Sequence, residues 1–217
     1  MILFHFISMS IQINTMFDTM MTFITHMVCY WGMVWKYDTT SKPESYREAV
    51  RNSLKNQICC TLPSIILFNE FSAMPVSTHF FSSFCLIPVI IAVSDVYFFL
   101  THYPLHKTFL WRYHKTHHRD KVHVAKSLDA DLIEHLIGNL GSFIAPFALF
   151  HMMDISFNMI IYNIWVAIAT LNTCVSHIGY KTLGDKGVHN LHHKYLKCNY
   201  GTGFYILDRL LGTYKEI

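Results

Sequence analysis

An all-helical, integral-membrane protein with a histidine-rich helical cap is the fold class this sequence predicts, on three observations. Of its 217 residues, 52% are hydrophobic and only 14% are charged, where a soluble domain carries about a quarter charged residues. All 17 Lys and Arg fall in three stretches, 36–55, 107–126 and 181–215. The intervening segments are apolar, and several approach the roughly 20 residues that cross a bilayer. About four to five transmembrane helices are expected. A soluble helical protein is disfavoured, because chance rarely clears cations so completely from such segments.

The elements follow in order. The first 35 residues are apolar but include Asp18, and a span near 16–35 is expected. No basic segment precedes it, which argues against a cleaved secretory signal. Residues 43–57 (PESYREAVRNSLKNQ) open with Pro and an acidic turn and then become basic. That pattern suits a helix lying on the membrane surface, or a plain connector. Residues 1–57 are thus read as an N-terminal span with an amphipathic connector, and 58–217 as the principal domain. Residues 79–100 and 155–175 are long enough to cross, whereas 58–74 and 136–150 are short and interrupted by Pro or Gly. Pro75 predicts one tight turn on the far side of the membrane, and 151–154 another.

Cations favour the cytosolic side. Five crossings then leave the N-terminus on the far side and bring the C-terminus, with all the basic stretches, to the cytosol of an endoplasmic-reticulum-type membrane. A net charge of +3 is too small to point to nucleic acid as a partner. The six cysteines show no paired spacing and are read as reduced core residues.

Chemistry is concentrated in the histidines, of which there are 15. Residues 101–118 read THYPLHKTFLWRYHKTHH, with His102 and His106 as HxxxH and His114, His117 and His118 as HxxHH. His189, His192 and His193 repeat HxxHH. On a helix, i and i+4 lie about 40° apart and i and i+3 about 60° apart on the other side, so each box presents its imidazoles within an arc of about 100°. Pro104 predicts that a helix ends, kinks or restarts inside the first box. A structural zinc site wants four ligands, usually with sulfur, and only Cys198 is near. Eight nitrogen donors could instead hold two ions with positions left open, the arrangement that oxygen activation by iron requires. A divalent-metal transporter or sensor is the alternative from another class, although it expects ligands at mid-membrane depth.

The order HxxxH, HxxHH, HxxHH within hydrophobic hairpins resembles the fatty acid hydroxylase superfamily of integral-membrane di-iron enzymes. That superfamily includes sterol C4-methyl oxidases, sterol C5-desaturases and fatty acid or sphingolipid hydroxylases. The likeness runs from Asp95 to Thr213 and includes DVYFFLTHYPLH, LWRYHKTHH, SHIGY and the tail NYGTGFYILDRLLGT. It implies metal ligation by His102, His106, His114, His117, His118, His189, His192 and His193. His177 of SHIGY is implied as a ninth ligand, its alternative being a helix-end residue where the chain leaves the membrane. Where many members carry His-Pro-x-Glu, this chain reads Asp131, Leu132, Ile133, Glu134. Asp131 is therefore either a carboxylate ligand or the N-cap of the helix that follows, and His135 is open between a metal ligand, a partner of a ligand and, as the default, an interfacial residue. Asp208, Arg209, Gly212 and Thr213 are expected to brace the C-terminal segment by a cap or salt bridge, with Asp208 also a candidate to orient a ligand histidine.

The resemblance further implies two Fe ions, O2 as co-substrate, a lipid substrate, and cytochrome b5 or a reductase as external electron donor. The product is an alcohol or an alkene, and the sequence does not choose between them. A member that keeps the scaffold without catalysis is the remaining alternative, left open by Asp131.

Overall fold

The computed structural model describes residues 2–38, 45–71, 79–119, 121–179 and 187–216. Among these the chain is helical and forms no sheet. The helices are α1 (Ile2–Tyr37), α2 (Tyr46–Asn56), α3 (Leu62–Phe71), α4 (Phe80–Cys85), α5 (Ile87–Lys107), α6 (Trp111–His114), α7 (Leu132–Glu134), α8 (Gly141–Met152), α9 (Met159–Ser176), α10 (Val188–Tyr195) and α11 (Ile206–Leu210). Pro75 lies outside the described residues.

Three stretches are long and apolar enough to cross a membrane: Phe80–Lys107, Leu132–Met152 and Met159–Ser176. Two correspond to the expected spans at 79–100 and 155–175. The third extends the weaker candidate at 136–150 to a full-length span, because a π-helical segment, His135–Leu140, joins α7 to α8 without a break. The segment at 16–35 lies within α1, and of the run at 58–74 residues 62–71 form α3, while 72–74 lie outside the described residues. A second π-helical segment, Gln57–Thr61, fuses α2 to α3, so the described parts of the expected surface connector and of the apolar run after it are one continuous helix.

Pro104 does not break the first histidine box. It sits in the last turn of α5, where the helix closes on it: Thr108 donates both its amide (3.0 Å) and its hydroxyl (2.8 Å) to the Pro104 carbonyl. A proline one turn from a C-terminus costs the helix a single interior bond. At the other end of the bundle, Asn158 caps α9 by accepting from the amides of Ile160 and Ile161. The chain turns over residues 151–154, with Asp154 at φ +53°.

Packing separates into two layers. Ile90, Phe147, Phe150, Phe157, Ile161, Tyr162, Trp165 and Val166 form an aromatic-rich core that joins α5, α8 and α9 away from the histidines. Nearer the histidines, Tyr30, Val34, Val124, Ala125, Leu128, Cys174 and Ile178 join α1 to α9 and to the 124–128 turn. Hydrogen bonds lock that second layer. Tyr30 and Ser53 hydroxyls both donate to the Ala125 carbonyl, Asn56 donates to Leu128 and Ala130, and Asp38 accepts the amides of Val124 and Ala125. The N-terminal segment thereby clamps the loop that precedes α7.

All six cysteines are free. Cys60, Cys174 and Cys198 are buried, but Cys59 and Cys85 face outward on apolar helix surface, where the expected core position fails.

Candidate metal centre

The connectivity of the three long helices brings the boxes together. The α5 helix ends on His102 and His106, the continuous helix from α7 to α8 carries Glu134 in its first turn, and α9 ends next to His177, so an antiparallel arrangement delivers all three to one end. His114, on α6, and α10 complete that end. Of the second box only His114 is helical. His117 and His118 occupy hydrogen-bonded turns, His117 donating its amide to the His114 carbonyl at 3.0 Å.

Nine histidines form two adjacent groups whose candidate ligand atoms lie within 4.8 Å of one another: His102, His106, His114, His118 and His192 in the first, and His117, His177, His189 and His193 in the second. Each HxxHH box is divided between them. Residues i and i+4 (His114 and His118; His189 and His193) share a group, and the i+3 histidine (His117; His192) joins the other. Opposite signs of rotation for i+4 and i+3 explain this for α10, where the box is helical throughout.

Protonation can be assigned from the outer nitrogens. Nδ1 of His102 lies 2.7 Å from the Tyr200 carbonyl, that of His192 2.8 Å from the Cys198 carbonyl, and that of His177 2.9 Å from the Thr173 carbonyl. Nδ1 of His114 lies 2.6 Å from Glu134 Oε1. Carbonyl and carboxylate oxygens only accept, so each Nδ1 carries the proton and each Nε2 presents a lone pair. Yet His102 Nε2 and His114 Nε2 stand 2.9 Å apart, and His177 Nε2 and His117 Nε2 3.2 Å apart. Two nitrogens about 2.1 Å from one ion and at right angles stand about 3.0 Å apart. Buried Nε2 atoms of His189 and His192 have no hydrogen-bond partner. Converging lone pairs and orphaned nitrogens fit a cation in each group, and five and four donors leave positions open on six-coordinate ions.

Burial, reinforced by neighbouring imidazoles, lowers the proton affinity of His114, His117, His118, His189, His192 and His193, and burial brings His177 down to about 4. Neutral imidazole is the ligand form, so the fold keeps these donors ready for metal. Unfolded histidine takes up its proton near 6.5, the folded residues well below it, so the unfolded state binds more protons as pH drops. Metal-stripped protein should show a flat melting temperature above about pH 7.5 and a progressive fall from pH 6.5 towards 4 in a detergent thermal melt. A melting temperature that rises over that interval would contradict the burial of neutral imidazoles.

Two carboxylates order the loop behind the first group. Asp208, buried, accepts from the amides of Tyr200 (2.9 Å) and Gly201 (2.6 Å) and from the Thr213 hydroxyl (2.6 Å). Asp95, also buried, accepts from the amides of Thr202 (2.8 Å) and Ile206 (2.6 Å). Asp208 thus acts on His102 only through the Tyr200 carbonyl; it makes neither the expected salt bridge nor direct contact with a histidine. The expected C-terminal brace is there in the Thr213–Asp208 bond and in Arg209, which lies over the Tyr214 ring at 3.7 Å and pairs with Glu216 at 4.0 Å.

Asp131 joins neither histidine group. Its carboxylate accepts from the Ile133 amide at 2.9 Å, the N-cap alternative, and Glu134 is the acidic residue that meets a box histidine. Asp131→Ala should cost about 1 kcal/mol of stability and leave the metal content unchanged. A lost ion on elemental analysis would restore it as a ligand. His135 is buried rather than interfacial, its Nε2 3.0 Å from the Thr61 hydroxyl and its Nδ1 3.2 Å from Asn139. Asp95 and Glu134 are the residues whose roles sequence reasoning missed. The signal for Asp95 was present: an acid in an apolar run, in helical register with His102 and His106.

A cavity of ≈ 300 Å³ begins at His102, His114, His117, His177 and His189 and runs between α1, α5, α8 and α9. Along α9 its lining extends from His177 to Trp165, twelve residues or about 18 Å. His26, to which the sequence assigned no chemistry, lines it and lies 3.0 Å from the Thr170 hydroxyl.

Fold and site together define a helical membrane protein with paired histidine clusters suited to metal, opening onto an apolar cavity. The chain belongs to the fatty acid hydroxylase family, whose sequence model matches residues 87–213. It is 28% identical over 187 residues to the human fatty acid hydroxylase domain-containing protein 2, covering 79% of this chain and 53% of that protein. The Macaca fascicularis protein of the same name matches to the same extent. A Dictyostelium discoideum protein, provisionally named a methylsterol monooxygenase, is 26% identical over 230 residues, covering 88% of this chain and 82% of the relative. The chain thus spans about half the length of the two fatty acid hydroxylase domain-containing relatives. No solved structure matches it.

Proposed function

We propose that the chain is a di-iron oxygenase of the membrane that hydroxylates or desaturates a lipid, using O2 and electrons from an external donor such as cytochrome b5 or a reductase. The observation that carries this reading is the juxtaposition of two histidine groups, their lone pairs opposed at 2.9–3.2 Å, with one end of an apolar cavity. Bound iron would supply the redox chemistry that ordinary acid–base groups cannot perform on an unactivated C–H bond.

The chain's own residues do the rest. His102, His106, His114, His118 and His192 would hold one ion, and His117, His177, His189 and His193 the other. Glu134 and the Tyr200, Cys198 and Thr173 carbonyls fix the imidazole tautomers. Apolar walls exclude water and align a lipid with its reacting carbon next to the histidines. The positive-inside bias supports a cytosolic site in an endoplasmic-reticulum-type membrane. A transporter reading is disfavoured because the clusters lie at helix ends rather than mid-span.

The test is purification in detergent, elemental analysis, and O2 uptake with a reductant over sterol, fatty acyl and sphingolipid substrates. Sterols come first, given the name of the Dictyostelium relative. Two irons with lipid-dependent O2 consumption are expected. Zinc alone, with no uptake under any donor, would sink the oxygenase reading.

A further inference from the structure

The lining residues of the cavity differ in one respect. Nearly all are buried or half-buried, but Ile168 is 38% exposed, Phe204 is 46% exposed, and Gly203 between Thr202 and Phe204 is exposed as well. A residue that faces both the cavity and the outside marks its mouth. Depth along the helices places that mouth. Ile168 lies nine residues before His177 on α9, about 13 Å, and Asp95 seven residues before His102 on α5, about 10 Å. Asp95 holds the Thr202 and Ile206 amides, and the Thr202 hydroxyl accepts from Asn172 of α9 at 3.1 Å, so the 202–206 segment is tied down between two membrane-crossing helices. Gly203 has φ +76° and would meet Ile91 at 3.1 Å if it carried a Cβ. The segment therefore turns tightly there and presents Phe204 at the rim.

We propose that the gap bordered by Ile168, Gly203 and Phe204 is a lateral portal through which an apolar lipid passes from the bilayer core into the cavity. The inference rests on the lipid reading of the site but concerns the route, not the reaction. Entry below the histidines spares the lipid a passage through water, since every exposed side chain at the rim is apolar.

The test uses full-length protein in phosphatidylcholine liposomes, with the exposed Cys59 and Cys85 replaced by Ser. Phe204→Cys is modified with pyrenyl maleimide, and labelling by a diazirine-bearing fatty acid and a diazirine-bearing sterol is mapped by mass spectrometry. Unmodified protein should be labelled on cavity-facing peptides of α5 and α9, and modification should abolish that labelling with metal content unchanged. Leu210→Cys, 75% exposed and outside the cavity lining, should be modified without effect. Undiminished labelling after modification of Phe204→Cys overturns the portal, as does absence of cavity labelling by both probes in unmodified protein. The two readings fail separately: zinc without O2 uptake leaves portal-dependent labelling standing, and lipid turnover by the blocked protein removes only the portal.

Discussion

Replacement of His192 by Ala is expected to lower bound metal from two ions towards one and to cut lipid-dependent O2 uptake by at least about 100-fold. The His192 ring lies 4.6 Å from those of His102 and His106 and 4.9 Å from that of His118, centroid to centroid. Its Nδ1 is committed to the Cys198 carbonyl, which leaves a buried Nε2 with no partner in the protein. Alanine removes that donor from the first group while favouring the helix of α10. Membrane insertion and helix content should therefore survive, and elemental analysis with circular dichroism separates ligand loss from misfolding. Two ions retained with full turnover would remove His192 from the metal centre. Glu134→Gln gives a graded comparison: the amide keeps the shape beside His114 but accepts less strongly from its Nδ1, and metal affinity should fall about 10–100-fold.

Much of this architecture was legible because it rests on period and charge. Long apolar runs gave two of the three helices long and apolar enough to cross a membrane, and the HxxxH and HxxHH spacings picked out eight of the nine clustered histidines, His177 entering only through the resemblance of SHIGY. The third was the weaker candidate because Gly138, Gly141 and Pro146 read as interruptions, whereas a π-helical turn absorbs the first and close packing the second: a Cβ on Gly141 would lie 2.5 Å from the Tyr97 hydroxyl. Division of the α10 box between the two histidine groups follows from helix geometry, whereas that of the 114–118 box, where only His114 is helical, needed the third dimension. Asp131 illustrates the limit. Position relative to a motif made it a ligand candidate, but it precedes the helix by one residue and its carboxylate turns back to the Ile133 amide, leaving Glu134, one turn further on, to face His114.

Gly201→Ala should produce the largest loss of stability among single-methyl changes near the site. A Cβ on Gly201 would lie 2.5 Å from Asp95 Oδ1 and 3.0 Å from Asp208 Oδ2. Neither carboxylate can retreat freely, since both are buried and together they hold the amides of Tyr200, Gly201, Thr202 and Ile206. Overpacking costs about 1–3 kcal/mol, and a displaced hydrogen bond to a charged group about 1.5–3 more, so a total of roughly 3–5 kcal/mol is expected. For a chain of this length that corresponds to a drop in melting temperature on the order of 10 °C. The damage should also reach the metal, because the Tyr200 carbonyl that fixes His102 belongs to the same loop. Gly203→Ala is the measured contrast: its Cβ meets only the flexible Ile91 side chain at 3.1 Å, with φ +76° adding strain of about 1 kcal/mol. Thermal melts and iron occupancy of both variants would check the ranking. If Gly201→Ala melted within a degree or two of wild type, the two carboxylates would not be the rigid brace of the first histidine group that their hydrogen bonds describe.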